Sequence, residues 1–323
     1  AAAYATAFRL SAAVLRAFSG ERAKLIAVGA DTDDYEWTEK VMAQAMKWRP
    51  NPTPLAYNTE RPLMWGLSLH FYSFAGNDWR NKGRNIGFGT DQWASALARA
   101  HLTDELIRRH AAIMDRYDPK KQVAIAVDEW GAWFDSEKDA PSQLYLESTL
   151  RDAVIAGMSL NIFNNHADRV RMANVAQMVN VIQSLVLTQG AKMVVTPTWH
   201  VFDLYKVHQN ATMIPVDVQA PDYVAGTVRL PGLSVSASKD AAGALHLSIV
   251  NLDPAAARPV RIDLKGGAWR KASARTLTAA TIDTRIRFEG ADPFVPGPLP
   301  ARLAQGQVAL TLPSKSVTLV TVE

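Results

Sequence analysis

A run of five apolar residues followed by two carboxylates constrains the fold of this chain most. The run is Val123-Ala124-Ile125-Ala126-Val127, and Asp128-Glu129-Trp130 comes directly after it. Three of the five are β-branched, which predicts a strand buried on both faces. α/β enzymes keep their chemistry at the carboxyl ends of such strands. The alternative interpretation is a strand end with a solvated acidic pair and core tryptophans.

Length and composition limit the classes of protein to which this chain can belong. The 323 residues suffice for roughly two domains, and the 48% hydrophobic content supports a large core. No run approaches the ~20 apolar residues of a membrane span, so no membrane partner is expected. The basic run Arg80-Asn81-Lys82-Gly83-Arg84 lies in a predicted loop and favours a solvated loop over a nucleic-acid site.

The absence of cysteine excludes disulfides and cysteine-ligated metals. It fits a reducing compartment, and the cytoplasm is the expected location. A periplasmic or secreted protein is not excluded, because the chain does not begin with methionine and its natural N-terminus is expected upstream.

Hydrophobic periodicity predicts alternating strands and helices in the first 190 residues. Capping and breaker signals, including Asp33 with Glu36 as a capping box and the proline-rich stretch 49–54, set their ends. The predicted strands are 24–29, 63–72, 122–130 and 160–164; the predicted helices are 4–19, 33–48, 91–117, 142–157 and 169–188.

Strand and helix repeated four times predict a parallel sheet with right-handed crossovers. The predicted strands end in His70 to Tyr72, in Asp128-Glu129 and in Asn164-Asn165, which places polar groups at one end of the sheet, as in a barrel. A complete barrel needs eight strands and ~250 residues. We therefore expect the C-terminal half of a (β/α)8 TIM-type barrel, with the other half on its N-terminal side.

Beyond about residue 197 the helical periodicity disappears, and short β-rich runs separated by turn signals predict an antiparallel β-sandwich. The expected domains are therefore a half-barrel, 1–197, and a C-terminal β-sandwich, 198–323. The β-rich runs are 213–218, 228–237, 244–250, 260–264, 308–312 and 316–322.

The residues that could carry chemistry follow two predicted strands. Retaining glycosidases use two carboxyls, and Glu129 is our candidate nucleophile. Asp128 precedes it in an extended strand, so we expect its side chain to point the other way and to be structural. His70 and Tyr72 share one strand face, where a phenol could keep the nucleophile ionised and oriented. Trp133 could stack on a sugar. For the three aromatic residues, the alternative is core packing.

Other motifs are weak. The sequence has no His-Glu-x-x-His motif, no phosphate-binding glycine loop and no Gly-x-Ser-x-Gly motif, so we expect no metal and no organic cofactor. The stretch Asn164-Asn165-His166-Ala167-Asp168-Arg169 fits either a polar site or a strand-to-helix turn capped by Asp168.

Several segments together resemble the α-L-arabinofuranosidases of glycoside hydrolase family 51. The similarity runs in order over nearly the whole chain. The segments are Asp34-Tyr35-Glu36-Trp37-Thr38-Glu39, Gly66-Leu67-Ser68-Leu69-His70-Phe71-Tyr72, Ile107-Arg108-Arg109-His110, Met114-Asp115-Arg116-Tyr117-Asp118-Pro119, Val127-Asp128-Glu129-Trp130-Gly131, Thr149-Leu150-Arg151-Asp152, Asn164-Asn165-His166-Ala167-Asp168-Arg169-Val170, Met172-Ala173-Asn174-Val175-Ala176-Gln177 and Thr196-Pro197-Thr198-Trp199-His200-Val201-Phe202.

The resemblance implies a (β/α)8 barrel with a C-terminal β-sandwich and a retaining mechanism. It places the nucleophile after barrel strand seven, at Glu129, and residues that support the sugar site at His70, Tyr72, Trp133 and Gln177. Many members have two tyrosines after the histidine, where this chain has Phe71 and then Tyr72. The acid/base glutamate of the family lies in an Asn-Glu pair, and no such pair occurs in these 323 residues.

The expected function is that of a retaining exo-acting α-L-arabinofuranosidase, which removes terminal arabinofuranosyl residues from arabinan- or arabinoxylan-type saccharides. Activity would need the N-terminal half-barrel, supplied by another segment or chain. Oligomerisation of identical chains is expected only by analogy with the family. The alternatives are an endo-acting β-glycanase on the same barrel and, if the chain is complete, a non-catalytic carbohydrate-binding or assembly subunit.

Overall fold

A computed structural model describes residues 1–15, 23–46 and 64–323 of the chain. The predicted helix residues 16–19, the expected helix end near Trp48 and the proline-rich stretch 49–54 lie outside them. Within the described residues, no helix combines the length and apolarity needed to cross a membrane. The helices are α1 (Ala2–Val14), α2 (Tyr35–Ala45), α3 (Thr90–Tyr117), α4 (Leu150–Asn165) and α5 (Pro197–Tyr205).

Four strands form a parallel sheet in the order β1-β2-β3-β4. They are β1 (Leu25–Ala27), β2 (Met64–Ser73), β3 (Ala124–Ala132) and β4 (Val170–Val175). Helices α2, α3 and α4 lie between successive strands in the sequence, as parallel pairing requires. The first four residues of β3 are buried, as their apolar run predicts. With the β-sandwich described below, this sheet confirms the predicted fold class of half-barrel plus sandwich.

Two predicted elements between residues 160 and 188 are wrong, whereas the predicted helix 142–157 is confirmed over residues 150–157. Residues 160–164, predicted as a strand, belong to helix α4, and residues 169–188, predicted as a helix, contain strand β4. Nearly every side chain of α4 is buried. A helix buried on all sides has no polar face, so its periodicity cannot distinguish it from a buried strand. Consequently Asn164 and Asn165 end a helix rather than a strand.

The chain divides into two compact units. The first comprises Ala1–Phe71, Thr103–Trp130 and His166–Asn174, and the second comprises Tyr72–Leu102, Gly131–Asn165 and Val175–Glu323. The boundary expected between residues 197 and 198 was based on the change of element type, and it stays a prediction.

In the first unit, side-chain hydrogen bonds set where elements begin. The Asp34 carboxylate caps α2 by accepting from the backbone N–H of Trp37 at 2.9 Å, one residue later than the predicted cap Asp33. The Asp118 carboxylate accepts from the backbone N–H of Val123 at 2.7 Å and from Arg169 at 2.7 Å. Because Arg169 directly precedes β4, this pair joins the starts of β3 and β4 to the end of α3.

The second unit contains the β-sandwich. Its six-stranded sheet has the order β14-β13-β17-β11-β10-β7, and its three-stranded sheet has the order β12-β16-β15. β5 pairs with β6 and β8 with β9, both antiparallel. The strands are β5 (Val186–Gln189), β6 (Lys192–Val195), β7 (Thr212–Ile214), β8 (Tyr223–Ala225), β9 (Val228–Leu230), β10 (Leu233–Lys239), β11 (Leu245–Asn251), β12 (Arg258–Asp263), β13 (Ala272–Leu277), β14 (Gly297–Leu299), β15 (Ala301–Ala304), β16 (Gln307–Leu312) and β17 (Ser316–Val322).

Helix α4 packs directly on the six-stranded sheet. A Cβ added at Gly157 would lie 3.0 Å from Val250 and 3.2 Å from Val317, so a glycine permits this close approach. The Asn161 amide donates to the carbonyl oxygen of Ser234 at 2.9 Å, and the Asn165 amide donates to that of Val235 at 2.9 Å. Asn161 and Asn165 therefore hold the helix on β10.

The sequence patterns do not predict helix α5, because it is short and lies where helical periodicity gives way to β-rich runs. Its local signals are nevertheless present. The Thr196 hydroxyl accepts from the backbone N–H of Trp199 at 3.3 Å, and Pro197 occupies the first turn.

A histidine near the end of α5 predicts acid sensitivity of the second unit. His208 contacts the hydroxyls of Ser238 and Ser248, each at 2.7 Å. Burial, with a smaller contribution from His246, lowers the pKa of His208 to about 4. The unfolded chain therefore takes up a proton near pH 6.5, which the folded chain does not. The difference in proton uptake makes the free energy of unfolding depend on pH. The contribution of neutral His208 to that free energy is complete above pH 6.5, and about 2 to 3 kcal/mol of it is lost as the pH falls towards 4.

The measurement is urea unfolding of wild type and His208→Gln at pH 7 and at pH 4.5. We expect the wild type to lose about 2 kcal/mol more than the variant between these pH values. Groups elsewhere titrate alike in both proteins, so they cancel in the difference. Equal losses would show that His208 does not carry this proton linkage.

Candidate active site

The first unit brings one imidazole against two carboxylates at the carboxyl ends of β2 and β3. His70 Nε2 lies 2.8 Å from Asp128 Oδ1, and His70 Nδ1 lies 3.4 Å from Glu129 Oε2. The three side chains are 48%, 31% and 42% exposed, respectively, so solvent and a ligand can reach them. The structure thus places His70 against the Glu129 carboxylate, and the assignment of His70 to the sugar site stays a prediction.

The expectation that Asp128 points away from this cluster is wrong. It rested on the alternation of side chains along an extended strand. The His70 imidazole offers one nitrogen to each carboxylate, so two successive residues of β3 both contact it. Alternation along a strand does not determine what a side chain on a neighbouring strand reaches. Asp128 thus belongs to the same cluster as Glu129.

The Asp128 carboxyl has a perturbed protonation equilibrium. Burial raises its pKa, the charge of His70 opposes this, and the Glu129 carboxylate adds to the increase. Two neighbouring carboxylates disfavour each other's ionised form, whereas a protonated imidazole between them stabilises both. The arrangement therefore allows His70 to orient an acidic pair.

The second unit forms an aromatic cluster of Tyr72, Phe74, Trp79 and Trp133. The rings of Tyr72 and Trp133 meet edge to face with centroids 5.3 Å apart, and Trp79 lies 5.5 Å from Trp133. Phe74 packs 5.1 Å from Trp79. Trp79 is 50% exposed, so an aromatic face remains open. The structure therefore brings together two predicted site residues, Tyr72 and Trp133.

Two cations hold this aromatic cluster. The Arg99 guanidinium stacks 3.6 Å from the centroid of Phe74, and its Nε donates to the carbonyl oxygen of Tyr72 at 3.1 Å. Lys82 Nζ lies 5.6 Å from the centroid of Trp133 and 3.3 Å from Asp135 Oδ1. No sequence motif marked Arg99 or Lys82 as part of a site. The unusual length of the loop carrying Trp79 and Lys82 was the available signal.

Gln177 lies in the stretch after β4, with its side chain exposed. Its assignment to the sugar site stays a prediction. Another glutamine of the same stretch, Gln183, is 1% exposed and bonded to three segments, and the sequence analysis missed it. Among the residues described by the structure, no group of three or more histidine and acidic side chains could hold a metal ion.

Comparison with known proteins gives the family. The sequence profile of the α-L-arabinofuranosidase C-terminal domain matches residues 128–316, more than half of the chain. This chain belongs to the α-L-arabinofuranosidase family. The matched region begins at Asp128, one residue before Glu129.

Relatives of the family match over nearly the whole chain. An intracellular exo-α-L-arabinofuranosidase of Bacteroides ovatus is 36% identical over 97% of this chain and 59% of its own length. The crystal structure of the GH51 arabinofuranosidase from Xanthomonas axonopodis pv. citri is 37% identical, with a TM-score of 0.90, over 99% of this chain and 62% of that one.

A more distant structure shows the fold alone. The thermostable GH51 α-L-arabinofuranosidase from Thermotoga petrophila RKU-1 is 22% identical, with a TM-score of 0.78, over 99% of this chain and 62% of that one. This chain therefore spans about three-fifths of the length of the relatives that it matches.

Proposed function

We propose that this chain is part of a retaining exo-acting α-L-arabinofuranosidase that removes terminal arabinofuranosyl residues from arabinan- or arabinoxylan-type saccharides. The observation that carries the proposal is the half-exposed Glu129 carboxylate beside His70 at the end of β3. Family membership and the name of the Bacteroides ovatus relative support the substrate class.

The proposed reaction is a double displacement. The Glu129 carboxylate attacks the anomeric carbon and forms a glycosyl ester, while a carboxylic acid protonates the departing glycosidic oxygen. Water then attacks the same carbon and releases arabinose and Glu129, with the former acid acting as base. Since no Asn-Glu pair occurs in this chain, we place that acid in a segment outside these 323 residues. That segment would contribute the remaining strands of the barrel.

The other proposed roles follow the predicted sugar site. His70 orients Glu129 through the observed 3.4 Å contact. Trp133 stacks on the apolar face of the sugar, and Gln177 supplies hydrogen bonds. The Tyr72 hydroxyl keeps the nucleophile ionised and oriented. The chemistry uses no cofactor.

The test compares substrates with the complete enzyme. We expect hydrolysis of 4-nitrophenyl α-L-arabinofuranoside and no hydrolysis of 4-nitrophenyl β-cellobioside, which an endo-acting β-glycanase would cleave. In the presence of methanol, a retaining enzyme transfers the sugar to give methyl α-L-arabinofuranoside. Formation of the β-anomer would contradict double displacement, and inertness towards the arabinofuranoside would contradict the proposed activity.

Location and assembly are further parts of the proposal. The Bacteroides ovatus relative is named intracellular, which supports a cytoplasmic enzyme. Assembly of several identical copies rests on the family resemblance, and size-exclusion chromatography with light scattering would test it.

A further inference from the structure

The side chain of Gln183 joins three separate segments of the second unit. Its Oε1 accepts a hydrogen bond from the backbone N–H of Ala132 at 2.7 Å. Its Nε2 donates to the carbonyl oxygen of Asp152 at 3.0 Å and to the hydroxyl of Thr198 at 2.8 Å. The residue is 1% exposed, so water does not substitute for these bonds. The amide thus uses both donors and its acceptor to fix its neighbours.

The backbone around Gln183 is adapted to this contact. Gln183 has a φ of 50°, in the left-handed region that costs most L-residues about 1 to 2 kcal/mol. A Cβ added at Gly131 would lie 2.9 Å from the Cβ of Gln183, so the approach requires glycine. A buried glutamine in a strained conformation, packed against a glycine, indicates that its side-chain bonds offset the strain.

Gln183 fixes the backbone next to one predicted sugar-binding residue. Its Oε1 accepts from the backbone N–H of Ala132, which directly precedes Trp133. Its other two bonds tie this point to Asp152 of α4 and to Thr198 of α5. Loss of the Gln183 bonds would therefore release the strand end that carries Trp133.

We infer that Gln183 is a positioning residue, which holds Trp133 in the geometry that sugar binding needs. The inference rests on the proposed function. Displacement of binding groups by about 1 Å can lower a rate by about 100-fold without loss of folding. The amide acts through Trp133 and does not contact the substrate.

The experiment compares two isosteric changes in the same buried network of the complete enzyme. Gln183→Met removes all three bonds, whereas Thr198→Val removes one of them and leaves the bond to Ala132. We expect kcat/KM for 4-nitrophenyl α-L-arabinofuranoside to fall about 10- to 100-fold in Gln183→Met, mainly through KM. The Thr198→Val variant should stay within about threefold of wild type, although both variants melt at lower temperature.

A third variant separates positioning from packing. In Gln183→Glu, the carboxylate still accepts from Ala132 but cannot donate to Asp152 or Thr198. Protonation restores one donor, so kcat/KM of this variant relative to wild type should recover as the pH falls. A purely structural role would give no such recovery, and this profile decides the matter if Gln183→Met does not fold.

Two results would overturn this inference and leave the proposed function intact. One is a folded Gln183→Met variant whose kcat/KM lies within threefold of that of an active wild type. The other is a loss of kcat/KM in Thr198→Val as large as that in Gln183→Met. Wild type that is inert towards the arabinofuranoside would overturn the proposed function, and with it this inference.

Discussion

Glu129→Gln in the complete enzyme should abolish turnover while leaving the fold intact. A neutral amide of the same shape cannot attack the anomeric carbon to form the glycosyl ester. Loss of a covalent nucleophile typically lowers kcat by about 10⁴-fold or more. The side chain is 42% exposed, so the change should leave the free energy of unfolding nearly unchanged. Initial rates on 4-nitrophenyl α-L-arabinofuranoside and thermal unfolding would measure the two effects.

Two further variants make this test specific. Asp128→Asn changes the adjacent carboxyl of the same cluster, and we expect a smaller rate loss because that residue positions His70 and forms no ester. Glu129→Gly leaves space for added azide, which can displace the leaving group and give the β-azide of arabinofuranose. Near-normal hydrolysis by Glu129→Gln would refute the assignment of Glu129 as nucleophile. Equal losses of rate in Glu129→Gln and Asp128→Asn would show that the reaction depends on both carboxyls and would not single out Glu129.

Arg169→Met should destabilise the protein more than any surface change in the adjoining strand β4. Arg169 and Asp118 are 1% and 3% exposed, and the guanidinium donates to the Asp118 carboxylate, the Asp118 carbonyl and the Val123 carbonyl at 2.7 Å each. The methionine would leave the Asp118 carboxylate buried without its cation. Breaking a buried pair in this way costs about 3 to 5 kcal/mol.

Arg171→Met is the matched control. Arg171 lies two residues after Arg169, is exposed, and donates to the backbone carbonyls of Gln122, at 3.0 Å, and Lys121. We expect its replacement to cost less than about 1 kcal/mol, because water can replace these exposed bonds. Urea unfolding followed by circular dichroism would give both values. Losses equal within about 1 kcal/mol would show that burial of the Arg169–Asp118 pair does not set its contribution.

The sequence determined the parts of this protein that depend on local order. The apolar run 123–127 specified a buried strand, the two carboxylates had to follow it, and the long amphipathic periodicity specified α3. Short β-rich runs likewise specified β11, β16 and β17, of which β16 alternates between buried and exposed residues. These patterns suffice because each element shows its environment through its own period. The family resemblance added the expected sugar-site residues.

Only the tertiary structure decided what depends on contacts distant in sequence. The last part of helix α4, residues 160–164, resembled a strand because its surroundings bury the helix on every side. Asp128 joins Glu129 because the His70 imidazole lies between them. Gln183 had no sequence signal, since its partners Ala132, Asp152 and Thr198 lie 51, 31 and 15 residues away. A side chain's hydrogen bonds depend on which segments the fold brings beside it, and local periodicity carries no record of them.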